Sequence, residues 1–145
     1  MVGGEYKPPI LPKKIKMKEN LLKCSIFMLA FLFIVFGVNK FLNFMRPPEP
    51  TEYIAQLFMF NMVNSYLGSL VGIVEIFSSC LLLFRRTRFF GFLIIIPIIL
   101  NIILYHLTTN DVSNPIILII GILFGGLCYS QKEAVKELLK IQSNI

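Results

Sequence analysis

Four polar side chains interrupt the long apolar runs of this sequence, and they are the residues most able to do chemistry. They are Lys40, Glu75, Asn101 and His106. A carboxyl group among apolar residues can bind a cation, carry a proton or pair with an ammonium group. An amide adds hydrogen bonds, and an imidazole adds proton transfer. Because an intramembrane charge is costly, Glu75 is the first functional candidate.

These residues lie in three separate apolar segments, and the helical rise places them at comparable depths. Glu75 follows Tyr66 by nine residues and Asn101 precedes Leu107 by six, which is about 13 Å and about 9 Å at ~1.5 Å per residue. Lys40 and His106 lie nearer the same end of their segments. We therefore expect the four side chains to form a polar funnel that opens toward the outer side.

Each candidate also has a structural interpretation. Lys40 can extend its ammonium group to the lipid headgroups. Asn39 and Asn101 can join helices by hydrogen bonds, which contribute about 0.6 kcal/mol on average. His106 is typical of a hydrated interfacial anchor, and Glu75 can be a buried structural carboxyl. The residue types alone leave both interpretations open.

The sequence lacks the motifs of common enzymes and metal centres. It has one histidine, which cannot supply two haem ligands, and no GxSxG, Walker or HExxH motif. Cys24, Cys80 and Cys128 lie in separate segments without a CxxC pair, which indicates inert thiols. We therefore predict no catalytic residue and no metal site, and no cofactor is evident from the residues.

The composition indicates a membrane environment. Of the 145 residues, 56% are hydrophobic and 15% are charged, and the mean hydropathy is +0.75. Soluble domains average about 45–50% apolar residues and about 25% charged residues. A single small domain could not bury so much hydrocarbon in water. The net charge is +6, and most of the basic residues lie just outside the apolar runs. This placement indicates anionic headgroups rather than nucleic acid as the partner.

Hydropathy predicts an all-α integral membrane four-helix bundle, with a short interfacial helix between spans 1 and 2. The predicted spans are about 22–44, 66–84, 89–107 and 115–130. The short helix is predicted at 52–63, after a proline-rich loop, either at the interface or packed on the bundle. Residues 1–21 are predicted to form a flexible basic arm, and 131–145 an amphipathic basic tail.

Basic residues predict the orientation of the spans. Twelve of the fourteen Lys and Arg residues fall in the N-terminal arm with Lys23, in the 85–88 turn or in the C-terminal tail. Four spans place these three regions on one side of the membrane. The positive-inside rule then predicts that both termini are cytoplasmic.

Small residues and one proline within the spans predict how the helices pack. Two glycine pairs have GxxxG spacing: Gly68 with Gly72, and Gly121 with Gly125. We interpret this spacing first as packing within the bundle and second as dimerisation. Pro97 frees the carbonyl group of the residue four positions earlier and predicts a kink in span 3.

Three segments, taken in order, resemble the DoxX family of small bacterial membrane proteins. They are Phe36–Phe41, Val71–Ile76 followed by Leu81–Leu83, and Pro97–Leu107. The resemblance covers roughly residues 22–130 and implies a four-helix membrane fold. The signature it implies consists of Gly37, Lys40, Glu75, Pro97, Asn101 and His106, with Asn39 and Gly72 beside them. The chain departs from the family at Ser79, where many relatives have glycine, and at Leu22 and Lys23, where many have arginine.

The DoxX name derives from a subunit associated with a terminal quinol oxidase and a thiosulfate:quinone oxidoreductase. The resemblance therefore implies a non-catalytic subunit or accessory protein of a respiratory or redox complex in the bacterial inner membrane. It implies a membrane or redox protein partner in the lipid bilayer and a quinone or lipid as ligand, and it leaves a homo-oligomer open. The alternative is a small-solute or proton-coupled transporter that uses Glu75.

Overall fold

The computed structural model describes residues 13–45, 50–108 and 115–143, and the regular structure in these ranges is helical. The helices are α1 (Lys13–Leu42), α2 (Tyr53–Asn64), α3 (Tyr66–Leu83), α4 (Arg88–Thr108) and α5 (Pro115–Ser143). Four of them contain segments that are long and apolar enough to cross a membrane: Met17–Leu42, Tyr66–Leu83, Arg88–Thr108 and Pro115–Lys140. The all-α fold with four spans and one short helix is thereby confirmed.

The four spans pack as a ring around a small apolar core. α1 contacts α3 and α5, and α4 contacts the same two helices, while α2 packs on α3. Phe33, Ile95, Ile99 and Leu127 are fully buried in this core. Only 17–33% of the most apolar part of each span is buried, so most apolar side chains face outward. Because lipid tails are as apolar as these side chains, close packing holds the core together.

Two helices are longer than the hydropathy predicts. α1 begins at Lys13, so residues 13–21 are helical instead of belonging to a flexible arm. Their lysine, methionine, glutamate and leucine residues favour helix once Pro12 is passed. α5 continues through the predicted tail to Ser143, because neither glycine nor proline follows Gly126. Residues 1–12 and 144–145 lie outside the described residues.

A sharp break at Ser65 separates α2 from α3, between the predicted short helix and the predicted second span. Ser65 has extended backbone angles, and its Oγ accepts a hydrogen bond from the Leu67 amide at 3.2 Å. The Met62 carbonyl occupies the place where a Cβ atom of Gly68 would lie. Glycine at position 68 therefore allows α2 to fold back against α3. Glu52, which has extended backbone angles, is the N-cap of α2.

The turn between α3 and α4 caps the end of α3. Thr87 Oγ1 donates to the Leu81 carbonyl at 2.9 Å, and Arg88 Nε donates to the Leu82 carbonyl at 3.0 Å. These bonds satisfy carbonyl groups that the end of a helix leaves without partners. The turn, the start of α1 and the end of α5 share one end of the bundle, which we call the basic end.

Candidate functional site

Two charged side chains from neighbouring spans, Lys40 and Glu75, form an ion pair. Lys40, in the last turn of α1, donates from Nζ to Oε2 of Glu75, near the middle of α3, at 2.7 Å. The Glu75 side chain is 3% exposed and the Lys40 side chain is 24% exposed. A charge-assisted hydrogen bond of this length is among the strong ones. The bundle thus offsets its buried carboxylate with a cation from a neighbouring helix.

Two glycines bring the backbones of α1 and α3 together beside this pair. A Cβ atom on Gly37 would lie 2.7 Å from Ile76 Cγ1 and 2.8 Å from the Gly72 carbonyl oxygen. A Cβ atom on Gly72 would lie 3.0 Å from the Gly37 carbonyl oxygen. We call this contact the glycine crossing. Lys40 follows Gly37 by three residues, and Glu75 follows Gly72 by three residues. Each charged side chain therefore projects from the same face of its helix as the glycine before it.

The two GxxxG pairs have different surroundings. A Cβ atom on Gly68 or Gly72 would meet neighbouring backbone inside the bundle, whereas a Cβ atom on Gly121 or Gly125 would have nothing within 4 Å. The first pair therefore fits our interpretation as packing within the bundle. On α5, the close contact is made by Gly126 instead, where an added Cβ atom would lie 2.6 Å from Ser25 Oγ.

Two serines continue the interior face of α3 beyond Glu75. Ser78 and Ser79 are both fully buried. Ser78 Oγ donates to the backbone carbonyl of Glu75 at 3.2 Å. Ser79 Oγ has no hydrogen-bond partner among the described residues. A buried hydroxyl without a partner loses its hydration and gains nothing in return.

We expect Ser79→Ala to leave the bundle folded and to stabilise it by about 1 kcal/mol, since the change removes an unsatisfied buried hydroxyl. Unfolding in mixed detergent micelles would measure this difference. Ser78→Ala is the matched control, because it removes a hydroxyl that is hydrogen-bonded. A larger loss of stability for Ser79→Ala than for Ser78→Ala would show that Ser79 has a polar partner.

Asn39 closes the end of α1 instead of joining two helices. Its Nδ2 donates to the Met45 carbonyl at 2.8 Å, and its Oδ1 accepts from the Met45 amide at 2.6 Å. Asn43, with a positive φ of 49°, donates from its amide to the Asn39 carbonyl at 2.8 Å. Asparagine tolerates this left-handed conformation at a helix end. These bonds fix the last turn of α1, which carries Lys40.

Asn101 lies away from the ion pair, in a groove between α2 and α4. The groove encloses about 330 Å³ and is lined by residues that include Glu52, Ala55, Phe58, Asn101, Leu104 and Tyr105. The Phe58 and Tyr105 rings lie 5.1 Å apart. Asn101 is exposed, and the described part of the chain gives it no hydrogen bond to Lys40 or Glu75. We call this feature the α2–α4 groove.

His106 follows Tyr105 on α4, and its ring lies edge-on to the Tyr105 ring at a centroid distance of 5.2 Å. Pro97 is an exposed residue inside α4. The structure thus brings together Lys40, Glu75, Gly37 and Gly72, and it places Asn101 beside α2. A single funnel that contains all four polar residues stays a prediction. Sequence reasoning missed the groove, because its aromatic wall forms only when α2 folds back toward α4.

Comparison with known proteins identifies the family. The sequence model of the family described as "Methylamine utilisation protein MauE" matches residues 17–111. No curated protein and no solved structure matches the chain. The expected membership in a small multi-pass membrane family is met, although the matching family is MauE and not DoxX. The matched range contains the glycine crossing, the ion pair and the α2–α4 groove. Because this match covers well over half of its length, the chain belongs to the MauE family.

Proposed function

We propose that this protein is a non-catalytic membrane subunit or accessory protein of a redox pathway. In this proposal it lies in the bacterial inner membrane with both termini in the cytoplasm. The description of its family, methylamine utilisation, supports an accessory role. The observation that carries the proposal is the ion pair, in which the Lys40 ammonium group neutralises the Glu75 carboxylate.

The surroundings of Glu75 favour a structural role over transport. A carboxyl group that carries a proton or a cation has to meet water from each side of the membrane in turn. The Glu75 side chain is 3% exposed and bonded to Lys40 at 2.7 Å, and the glycine crossing lies beside it. Releasing this carboxylate would break the ion pair with Lys40. A small-solute or proton-coupled transporter is therefore the less favoured alternative.

The α2–α4 groove is the place that best fits a quinone ring or a lipid headgroup. Its walls are mostly apolar side chains, which suit an isoprenoid or acyl tail. The Asn101 amide can donate to a carbonyl or phosphate oxygen, and it has no hydrogen bond within the described ranges. When bound, a quinone would supply electron acceptance, while Asn101 and Phe58 would hold and orient it.

We expect Asn101→Leu to lower the amount of co-purifying quinone about tenfold, since one hydrogen bond contributes roughly 1.4 kcal/mol to such binding. Extraction and quantification of quinones from the purified protein would measure the loss. Asn61→Leu is the matched control, because the Asn61 side chain bonds a carbonyl of its own helix at 2.8 Å. Equal quinone content in the two variants would contradict a role for Asn101.

The accessory role is tested by mild-detergent purification from the native membrane, with mass spectrometry of bound proteins and an absorbance spectrum. We expect stoichiometric oxidoreductase subunits with the wild type and a weaker recovery with Glu75→Gln. Glu133→Gln, at an exposed carboxylate of α5, is the control. A homo-oligomer without redox partners would overturn the proposal. Proteoliposome flux that Glu75→Gln abolishes would favour the transporter.

A further inference from the structure

Two lysines converge on one tyrosine at the basic end of the bundle, where α1 packs against α5. Lys18 Nζ donates to Tyr129 Oη at 2.7 Å and lies 4.6 Å from the centroid of its ring. Lys132 Nζ lies 4.3 Å from the same centroid. Two ammonium groups therefore surround a single phenol ring. We call these three side chains the lysine–tyrosine cluster.

Carboxylates balance this positive charge poorly. The Glu133 carboxylate lies 4.0 Å from Lys132, but it is closer to Lys136, at 3.2 Å. Within the described residues, Lys18 forms no ion pair with a carboxylate. Lys40, by contrast, has Glu75 as a dedicated partner. The cluster thus presents an excess of positive charge that an external anion can neutralise.

The cluster lies where the apolar part of the bundle gives way to charge. Tyr129 follows Pro115 by 14 residues, or about 21 Å along α5 at ~1.5 Å per residue. Lys132 is the first charged residue of α5. Tyrosine and lysine are typical of this boundary, where lipid phosphates lie. The anion that a bundle in a bilayer meets at this depth is a phospholipid headgroup.

We propose that Lys18, Tyr129 and Lys132 form a binding site for the phosphate group of an anionic phospholipid, between α1 and α5. The two ammonium groups donate to the phosphate oxygens. Tyr129 Oη already accepts from Lys18, so its own hydrogen is available to donate to the same phosphate. One bound headgroup thereby joins α1 to α5. Since α5 is the least buried of the four spans, at 17%, this link stabilises its position in the ring.

The test is lipid retention, measured by native mass spectrometry after the protein is moved from mixed bilayers into detergent. The bilayers contain phosphatidylcholine and phosphatidylglycerol in equal amounts. We expect the wild type to retain phosphatidylglycerol preferentially. We expect Lys18→Gln/Lys132→Gln to reduce that retention about thirtyfold, and Tyr129→Phe to reduce it about threefold.

The control is Lys23→Gln/Arg86→Gln, which removes the same charge from two exposed residues near the basic end. We expect this variant to retain phosphatidylglycerol like the wild type. Equal losses in the two double variants would overturn the site, because general attraction to anionic lipid would then suffice. A second readout is thermal stability in neutral detergent. Stabilisation by inorganic phosphate that matches stabilisation by phosphatidylglycerol would identify a free anion and overturn the lipid site.

Discussion

Replacing Lys40 with methionine is expected to destabilise the folded bundle by about 3 kcal/mol. The change preserves most of the side-chain length but leaves Glu75, which is 3% exposed, without the ammonium group at 2.7 Å. Removing one member of a buried ion pair typically costs about 3–5 kcal/mol, because the remaining charge is desolvated and uncompensated. Unfolding in mixed detergent micelles, followed by circular dichroism, would measure the change.

The opposite substitution is expected to cost less. Glu75→Gln leaves Lys40 without its carboxylate, but the Lys40 side chain is 24% exposed and lies in the last turn of α1. Its flexible chain can carry the ammonium group toward the headgroups. We expect a loss of about 1 kcal/mol, in the range of an ordinary hydrogen bond. This asymmetry keeps Glu75→Gln folded well enough for the partner-recovery experiment.

A double variant and a lysine control test whether Lys40 and Glu75 are coupled. Lys40→Met/Glu75→Met should regain most of the stability that Lys40→Met loses, since it removes the stranded carboxylate. Lys23→Met removes an exposed charge from the same helix and should change stability by less than about 0.5 kcal/mol. A double variant as unstable as Lys40→Met alone would show that the two side chains are not coupled.

Replacing Gly37 with leucine is expected to destabilise the bundle by about 3 kcal/mol, at the upper end of typical overpacking costs. Even the first carbon of the new side chain would lie 2.8 Å from the Gly72 carbonyl oxygen. Backbone cannot yield as a flexible side chain can, so α1 and α3 must separate. That separation would also pull Lys40 away from Glu75. Thermal unfolding and a cysteine cross-link between the two helices would report both effects.

The exposed glycines of α5 provide a control in the same chain. Gly121→Ala and Gly125→Ala add a methyl group where nothing lies within 4 Å. We expect either change to be neutral or to stabilise α5 by up to about 1 kcal/mol, the difference in helix propensity between the two residues. If Gly37→Leu were tolerated as well as these substitutions, the glycine crossing would not be a close contact.

The spans were predictable because their signal is local. An apolar run of sufficient length predicts a span by itself, and the polar residues Asn64 and Ser65 predict the break before α3. Counting residues also placed Lys40 and Glu75 in the same half of the membrane. The extent of α1 and α5 was harder to predict, because a basic segment without proline can continue a helix into water.

The contacts between helices were not predictable from the sequence alone. Nothing local to Gly37 specifies that it meets Gly72, since that contact depends on how α1 and α3 cross. Asn39 has the residue type of an interhelical hydrogen bond but caps its own helix. Asn101 was expected to join the charged pair, whereas the fold of α2 places it in a groove. Polar residues in membrane helices have several possible partners, and tertiary packing selects among them.

Exchanging the two charges tests the central claim most directly, which is that Lys40 and Glu75 hold α1 and α3 together as an ion pair. Lys40→Glu and Glu75→Lys each place two like charges side by side, and we expect either change to reduce the yield of folded protein sharply. The exchanged double variant, Lys40→Glu/Glu75→Lys, restores opposite charges and should recover most of that yield. A double variant that folds no better than the worse single variant would contradict the ion pair.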